Sequence, residues 1–391
     1  MHLLNFPLRP TRRTGTEPVR VCFVIDRLSR AGTETQLLAL IHHLDRSRVS
    51  PTLCLLNGSD RESRSLLPDD CPTVDLNLQK LTSLKSISAA ARLVSFWRRN
   101  RIEVVQTYFN DSTYFAVPFA RLCGIRQVIR VRNNLGYWLT RRHRTLGRLV
   151  GRLTTQTLTN SEDACQALLE AEGLQPNRVI VIENGVDLDR FRNLQPANTV
   201  APTVRVGAVA NLRPVKNIDA FVRVAATVCR NDPRVRFEVA GEGAQRVALE
   251  TLIQQHGLCD RFNLRGSVAD VPRFLSSVDI AVLPSHSESM SNALLEYMAA
   301  RRAIVATDVG ANAKVVRNGV DGLIVAAGDE IAIADAIQRF LSEPALALSC
   351  AASARERAET YYSRAAMVRR FEDFYASLFN ETARGGSAGS L

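Results

Sequence analysis

Two carboxylates, Glu288 and Glu296, stand with seven residues between them in Ser285-His-Ser-Glu-Ser-Met-Ser-Asn-Ala-Leu-Leu-Glu296. The segment follows an apolar strand, Val278 to Pro284, and opens a helical run through Ala293, Leu294, Leu295, Met298 and Ala299, with Ser289 or Ser291 placed to cap it. The first turn of a helix points unpaired amide donors and the positive end of the macrodipole at one volume, which suits an anion such as a diphosphate. Glu288, ahead of the helix, is placed to accept hydrogen bonds from sugar hydroxyls. Glu296, further along at roughly 1.5 Å per residue, is placed to take a ribose diol. Taken alone, such a pair reads equally as a solvated loop glutamate and an ordinary helix charge, so the rest of the chain decides its meaning.

Three further loops follow predicted strands. Asp26 to Glu34 contains Gly32, which permits close approach of a phosphate or sugar to the backbone. Ala210 to Asn217 brings Arg213 and Lys216 to a strand exit, where charged hydrogen bonds to a diphosphate are worth roughly 1.5–3 kcal/mol each. Ala240-Gly-Glu-Gly243 reads first as a turn. Neither a Gly-x-x-x-x-Gly-Lys-Ser/Thr phosphate loop, nor His-Glu-x-x-His, nor a Gly-x-Ser-x-Gly elbow occurs. Asp187-Leu-Asp189 has the form of a metal-binding pair but is read as structural, and no metal site is assigned. Of the six histidines, His286 is nearest in sequence to Glu288, while His42 and His43 read as packing or surface residues of a helix.

Short apolar strands alternate with helical segments through most of the chain, which predicts α/β architecture with parallel sheets covered on both faces. The alternation pauses over residues 191–202, polar and bearing two prolines, where an interdomain linker is expected. This gives two Rossmann-like, doubly wound domains facing a central cleft: 17–193, with a final helix over 363–379 returning to it, and 203–360. Residues 383–391, rich in Gly and Ser, are expected to be disordered. In such sheets ligands sit beyond the carboxyl ends of the strands.

The net charge of +11 lies mostly in the first half, where residues 1–195 hold 28 Lys and Arg against 18 Asp and Glu, and the remainder 22 against 21. Between Arg92 and Arg152 there are thirteen arginines and only Glu103 and Asp111 as acids. Such a surface attracts a polyanion, whether lipid headgroup, phosphorylated acceptor or nucleic acid, and is equally made by a solubilising face. The stretch 139–153 places Leu139, Leu146, Leu149, Val150 and Leu153 near one helical face among arginines, either as a membrane-surface helix or as a surface helix packed on a sheet. Gly147 and Gly151 weaken that helix. No apolar run is long enough to span a bilayer and the first residues are too short an apolar run for a secretory signal, so a cytoplasmic location is expected. Eight scattered cysteines read as buried thiols, with neither a disulfide framework nor a zinc site.

Taken together, these stretches resemble the retaining nucleotide-sugar glycosyltransferases of family 4, the "group 1" enzymes of the GT-B fold. The resemblance rests on Glu288 to Glu296 with its continuation Arg301-Arg-Ala-Ile-Val-Ala-Thr-Asp-Val-Gly310 and Asn318-Gly-Val-Asp-Gly-Leu323, and on Thr159-Asn-Ser-Glu162 followed by Val181-Ile-Glu-Asn-Gly-Val-Asp187. It implies that Glu288 contacts the transferred sugar, that backbone amides near Met290, Ser291 and Asn292 hold the diphosphate, that Glu296 holds the ribose and Lys216 the phosphates, and that Gly32 lies opposite. It also implies a reaction on one face of the sugar with no metal, no cofactor and no protein nucleophile. The chain departs from the family at Asn211, where an arginine is usual and Arg213 stands two positions later, and at Gln106-Thr-Tyr108 and Arg132-Asn-Asn134, where histidines are usual. Ala31-Gly32 replaces a glycine pair, and Lys314 stands where an acid is usual.

The resulting expectation is a hexosyltransferase using a UDP- or GDP-sugar and a glycan or lipid-linked acceptor in surface polysaccharide or lipopolysaccharide assembly. An anionic membrane surface is the expected contact of the arginine-rich domain, peripheral on the inner face of the membrane, and no nucleic acid is expected. A sugar-nucleotide epimerase of the same architecture, or a non-catalytic polyanion-binding protein, are the alternatives.

Overall fold

The computed structural model describes residues 17–136 and 140–384. The chain divides into two compact units, one comprising residues up to Glu183 together with those from Ala365 onward, the other Asn184–Arg364.

The first unit holds a seven-stranded parallel sheet in the order β3-β2-β1-β4-β5-β6-β7. Its strands are β1 (Val19–Ile25), β2 (Val49–Leu55), β3 (Thr73–Asp75), β4 (Val104–Tyr108), β5 (Gln127–Val131), β6 (Gln156–Thr159) and β7 (Val179–Val181). Helices α1 (Gly32–His43), α2 (Arg61–Ser65), α3 (Lys85–Arg99), α4 (Asn110–Leu122), α5 (Arg141–Leu153) and α6 (Glu162–Glu172) connect them. Alternation along β1 builds both faces: Val21, Phe23 and Ile25 enter one core, and Cys22 and Val24 the other, against Trp97 and Phe115. Each fully buried side chain of this size contributes roughly 1.5–3 kcal/mol.

The second unit holds a six-stranded parallel sheet in the order β10-β9-β8-β11-β12-β13. Its strands are β8 (Val204–Val209), β9 (Val235–Ala240), β10 (Phe262–Gly266), β11 (Ile280–Leu283), β12 (Ala303–Thr307) and β13 (Leu323–Val325). They are covered by α7 (Ile218–Asn231), α8 (Arg246–Gln255), α9 (Val271–Ser276), α10 (Asn292–Ala299), α11 (Asn312–Val315), α12 (Glu330–Ser342) and α13 (Pro344–Tyr361). In each sheet the strand order reverses once, between β1 and β4 and between β8 and β11, and ligands of doubly wound sheets gather at that reversal.

The last helix, α14 (Arg364–Arg384), packs Met367, Val368, Phe374 and Tyr375 into the core beside Phe23 in the first unit. The Tyr375 hydroxyl donates to Gln106 Oε1 at 2.9 Å, and Gln106 Nε2 donates to the Tyr108 hydroxyl at 2.7 Å, so the polar residues of β4 satisfy one another inside the core. Of the tail expected to be disordered, residues 385–391 lie outside the described residues, as does Leu139, while 383 and 384 end α14.

Two differences from the sequence reading have clear physical causes. Residues 191–202, read as a linker, are held by the second unit: the Arg302 guanidinium donates to the Gln195 carbonyl, Ala197 N to Arg301 O at 3.2 Å, and Asn198 N to Asp279 Oδ1 at 3.0 Å. The second difference concerns α5, whose buried face is Gly147, Val150 and Gly151, leaving Leu146, Leu149 and Leu153 exposed. A buried ion pair explains this. Arg130 and Glu172, each almost fully buried, pair beneath α5, with Arg132 Nη1 donating to Glu172 Oε1 at 3.2 Å and Arg130 Nη1 to Gly147 O at 3.1 Å. A Cβ at Gly147 would meet Glu172 Oε1 at 2.6 Å, and one at Gly151 would meet Arg130 Nη2 at 3.0 Å. The glycines thus admit the charges, and the leucines turn outward.

Among the described residues no helix is long and apolar enough to cross a membrane. All eight cysteines are free, six of them buried.

Candidate functional site

At the strand-order reversal of the second sheet, the exits of β8 and β11 are fastened together. Asn217, held at φ 55°, donates from Nδ2 to Pro284 O at 3.1 Å, and His286 N donates to Val215 O at 2.8 Å. Between these backbone ties lies the ion pair of Lys216 and Glu288, with Nζ 2.6 Å from Oε1. Ser285, fully buried at the end of β11, donates its hydroxyl to the same Oε1 at 2.7 Å. Both bonds fall on one oxygen, and Glu288 Oε2 accepts from none of the described residues. The carboxylate is therefore aimed by two donors and keeps one oxygen for hydroxyl donors.

The backbone around Glu288 is fixed from the other side by the exit of β12. Gly310 has φ 52°, and a Cβ there would lie 2.0 Å from the Glu288 carbonyl oxygen, so this position accepts glycine for both reasons. Ala311 N donates to Ser289 O at 2.9 Å, and the Thr307 hydroxyl donates to Ser285 O at 2.7 Å. The exit of β9 closes on that of β8 in the same manner. A Cβ at Gly241 would lie 1.8 Å from Ala210 O, and Leu212 N donates to Glu242 O at 2.9 Å. The Gly-Glu-Gly stretch read as a turn thus supports the loop carrying Arg213 and Lys216.

Ser291 occupies the N-cap of α10, but its side chain makes no capping bond. Asn184 supports this end of the helix, donating from Nδ2 to Asn292 Oδ1 at 2.8 Å and to Met290 O at 3.4 Å, while Met290 and Ser291 are themselves buried. Arg213 is exposed in the turn that ends at Lys216, with its guanidinium paired to none of the described residues. The exits of β8, β11 and β12 and the segment at Asn184 thus meet around the residues that lead into α10, which sets Lys216 beside them and Arg213 on the same loop as Lys216. That set suits an oxyanion with more than one phosphate.

Glu296 lies beyond, partly exposed on α10, and its carboxylate makes no hydrogen bond or ion pair with the described residues. Burial lifts its carboxyl to about 7, opposed by the positive charges of Arg190 and Arg364. A folded-state value above the unfolded one contributes stability that is full below about 4.5 and lost as pH rises through about 7. Glu296→Gln is therefore expected to be more stable than the parent protein at pH 8, by about 1–3 kcal/mol, with the difference shrinking toward zero at pH 5. Urea unfolding at both pH values checks this, and a difference independent of pH would contradict it.

Sequence reasoning singled out Arg213, Lys216, Glu288, Met290, Ser291, Asn292 and Glu296, and all seven belong to the second unit around the start of α10. Gly32 belongs to the first unit, as the first residue of α1, with no positive φ. Ser285, Asn184, Gly310 and Asn217 were not read as site residues. Their signals were a polar residue ending a strand and Asn or Gly at strand exits. Asp187 serves the backbone, accepting from Asp189 N at 3.2 Å and pairing with Arg364 at 3.0 Å, in keeping with its structural reading.

Two family models match the chain: "Glycosyltransferase Family 4" over residues 30–190 and "Glycosyl transferases group 1" over residues 203–343. Among curated proteins, the chain is 32% identical over 237 residues to D-inositol 3-phosphate glycosyltransferase of Frankia alni, covering 54% of this chain and 58% of that one. It is 33% identical over 180 residues to the lipopolysaccharide core biosynthesis mannosyltransferase LpcC of Rhizobium leguminosarum, covering 43% and 51%. The chain spans about half the length of the curated relatives it matches. Among solved structures, Anabaena HepE in complex with UDP superposes with a TM-score of 0.79 at 18% identity, over 92% of this chain and 100% of that one. Sucrose-phosphate synthase of Thermosynechococcus elongatus does so with a TM-score of 0.75 at 18% identity, over 93% and 100%. With one family model over each parallel sheet and this fold common to both, the chain belongs to the group 1, family 4 glycosyltransferases of the GT-B fold.

Proposed function

We propose that this chain transfers a hexose-type sugar, with retention and without a metal ion, from a UDP- or GDP-sugar to a glycan or lipid-linked acceptor in surface polysaccharide or lipopolysaccharide biosynthesis. The observation that carries the reading is the Lys216–Glu288–Ser285 contact at the reversal of the second sheet, immediately before the first turn of α10. The diphosphate takes the amides near Met290, Ser291 and Asn292 together with Lys216 and Arg213, whose positive charge stabilises the leaving group as it develops. Glu288 Oε2 accepts from hydroxyls of the transferred sugar, and Glu296 accepts from the ribose diol. The acceptor hydroxyl attacks from the face the diphosphate leaves, and its proton passes to the departing phosphate oxygen.

Support from relatives is of two kinds. HepE has been crystallised with UDP and with UDP-glucose, and LpcC is named for lipopolysaccharide core biosynthesis. The test is release of nucleotide diphosphate from a donor panel, with and without acceptor, in EDTA, with the anomer of the product read by NMR. Acceptor-dependent release that survives EDTA and gives the donor's anomeric configuration is expected. Isomerised nucleotide sugar formed without acceptor would instead mark an epimerase.

The exposed face of α5 supports a peripheral membrane contact on the cytoplasmic side. Leu146, Leu149 and Leu153 stand out among Arg141, Arg142, Arg144, Arg148 and Arg152, with no acid in the helix. Sedimentation with vesicles containing anionic lipid is expected at low salt and is expected to fall several-fold at moderate salt, as screened surface charge requires. Equal sedimentation with neutral and anionic vesicles would contradict it.

A further inference from the structure

Beyond the end of β5, wholly within the first unit, lies a cavity of about 270 Å3. Arg132, Asn134, Leu135 and Arg144 line it on one side, and Leu168 and Glu170 of α6 on the other. Arg132 is 7% exposed, yet its guanidinium is engaged along one edge only. Nη1 donates to Glu172, Nε has no partner, and Nη2 bonds to none of the described residues. Glu172 divides its charge between Arg130 and Arg132, so the triad retains one positive charge beside the cavity.

Among the described lining residues, Arg144 and Asn134 offer further side-chain donors. Arg144 is exposed, and its guanidinium pairs with none of the described residues. Asn134 Oδ1 accepts from Gly136 N at 3.1 Å, which leaves the amide nitrogen as the group that side chain can offer. Glu170, the only acid among the lining residues, accepts from Gln166 Nε2 at 2.7 Å. Arg132 Nε is thus a buried donor without an acceptor on a side chain that lines the cavity. Two guanidinium groups match the planar, bidentate geometry of carboxylate and phosphate oxygens, and Leu135 and Leu168 suit a carbon skeleton.

We propose that this cavity holds an oxyanion of the acceptor, a phosphate ester or a carboxylate, with Arg132 and Arg144 as its cationic contacts. The assignment to an acceptor rests on the glycosyl-transfer reading above. The cavity is near the lower limit of small-molecule sites, about 300 Å3, and therefore suits one charged sugar-sized group rather than a nucleotide sugar.

The test is calorimetry on the full chain at low salt with glycerol 1-phosphate, glucuronate, glucose, inorganic phosphate and UDP or GDP. Glycerol 1-phosphate or glucuronate is expected to bind tenfold or more tightly than glucose, and which of the two binds separates a phosphorylated from a uronic acceptor. Arg144→Gln is expected to weaken that binding about tenfold and leave nucleotide affinity unchanged. Arg132→Gln is expected to weaken it further, and because it also removes a partner of Glu172, the exposed Arg144 variant serves where that protein fails to fold. Nucleotide binding without anion binding, or anion binding indifferent to Arg144→Gln, overturns the cavity assignment alone. Inorganic phosphate binding as tightly as the ester marks a simple ion site and overturns the acceptor assignment. Loss of nucleotide binding in the parent protein overturns the donor reading instead.

Discussion

Glu288→Gln is expected to lose about 10²–10³-fold in kcat while nucleotide diphosphate affinity stays within about threefold of the parent value. The amide keeps the shape of the carboxylate and can still accept from Ser285, so the loop is not emptied. What it loses is the charge that faces Lys216 at 2.6 Å and the second oxygen free to accept from the sugar. Charge developing on the transferred sugar is then uncompensated in the transition state, whereas the amides at the start of α10 still hold the diphosphate. Steady-state kinetics with calorimetry on the same preparation separate the two quantities. Full activity would remove Glu288 from the reaction. A parallel fall in affinity would show that its work is to position Lys216.

Glu172→Ala is expected to lower unfolding free energy by about 3–5 kcal/mol, because it leaves Arg130 and Arg132 buried without their counter-charge. Both arginines reach the same carboxylate, and the pair of Arg130 with Glu172 lies under the closely approached glycines of α5. Replacing the triad together, as Glu172→Met with Arg130→Met and Arg132→Met, should recover much of the loss, since apolar side chains of similar volume fill the space without desolvated charge. Urea unfolding of the three proteins measures this. A loss below about 1 kcal/mol for Glu172→Ala would mean that the pair is effectively solvated.

The parallel sheets were legible because their information is local. A run such as Val19-Arg-Val-Cys-Phe-Val-Ile25 has too many apolar residues for a half-exposed strand, and its alternation with helical periodicity leaves a doubly wound sheet as the simplest arrangement. The placement of Lys216 and Glu288 after strands was equally local. Their contact was not, because 72 residues separate them and only the order β8-β11 brings the two exits together. Ser285 and Asn184 escaped for the same reason: each looks like ordinary loop polarity until its partner is known. Gly147 and Gly151 were read as weaknesses of α5, since nothing in the helix itself announces that Glu172 and Arg130 approach it. The stretch 191–202 has the composition of a linker, and its attachment through Arg302 and Asp279 depends on residues about a hundred positions away.

The central claim is that the start of α10 binds a nucleotide sugar, with Glu296 on the ribose. It is tested most directly by calorimetry at pH 8, where Glu296 is mostly ionised given its value of about 7, using UDP, GDP, ADP and their sugar conjugates without added metal. The account predicts that one uridine or guanosine series binds and that Glu296→Ala weakens it by at least tenfold, the loss of charged hydrogen bonds worth roughly 1.5–3 kcal/mol. Absence of binding by every nucleotide, or equal binding by the parent protein and Glu296→Ala, would contradict it.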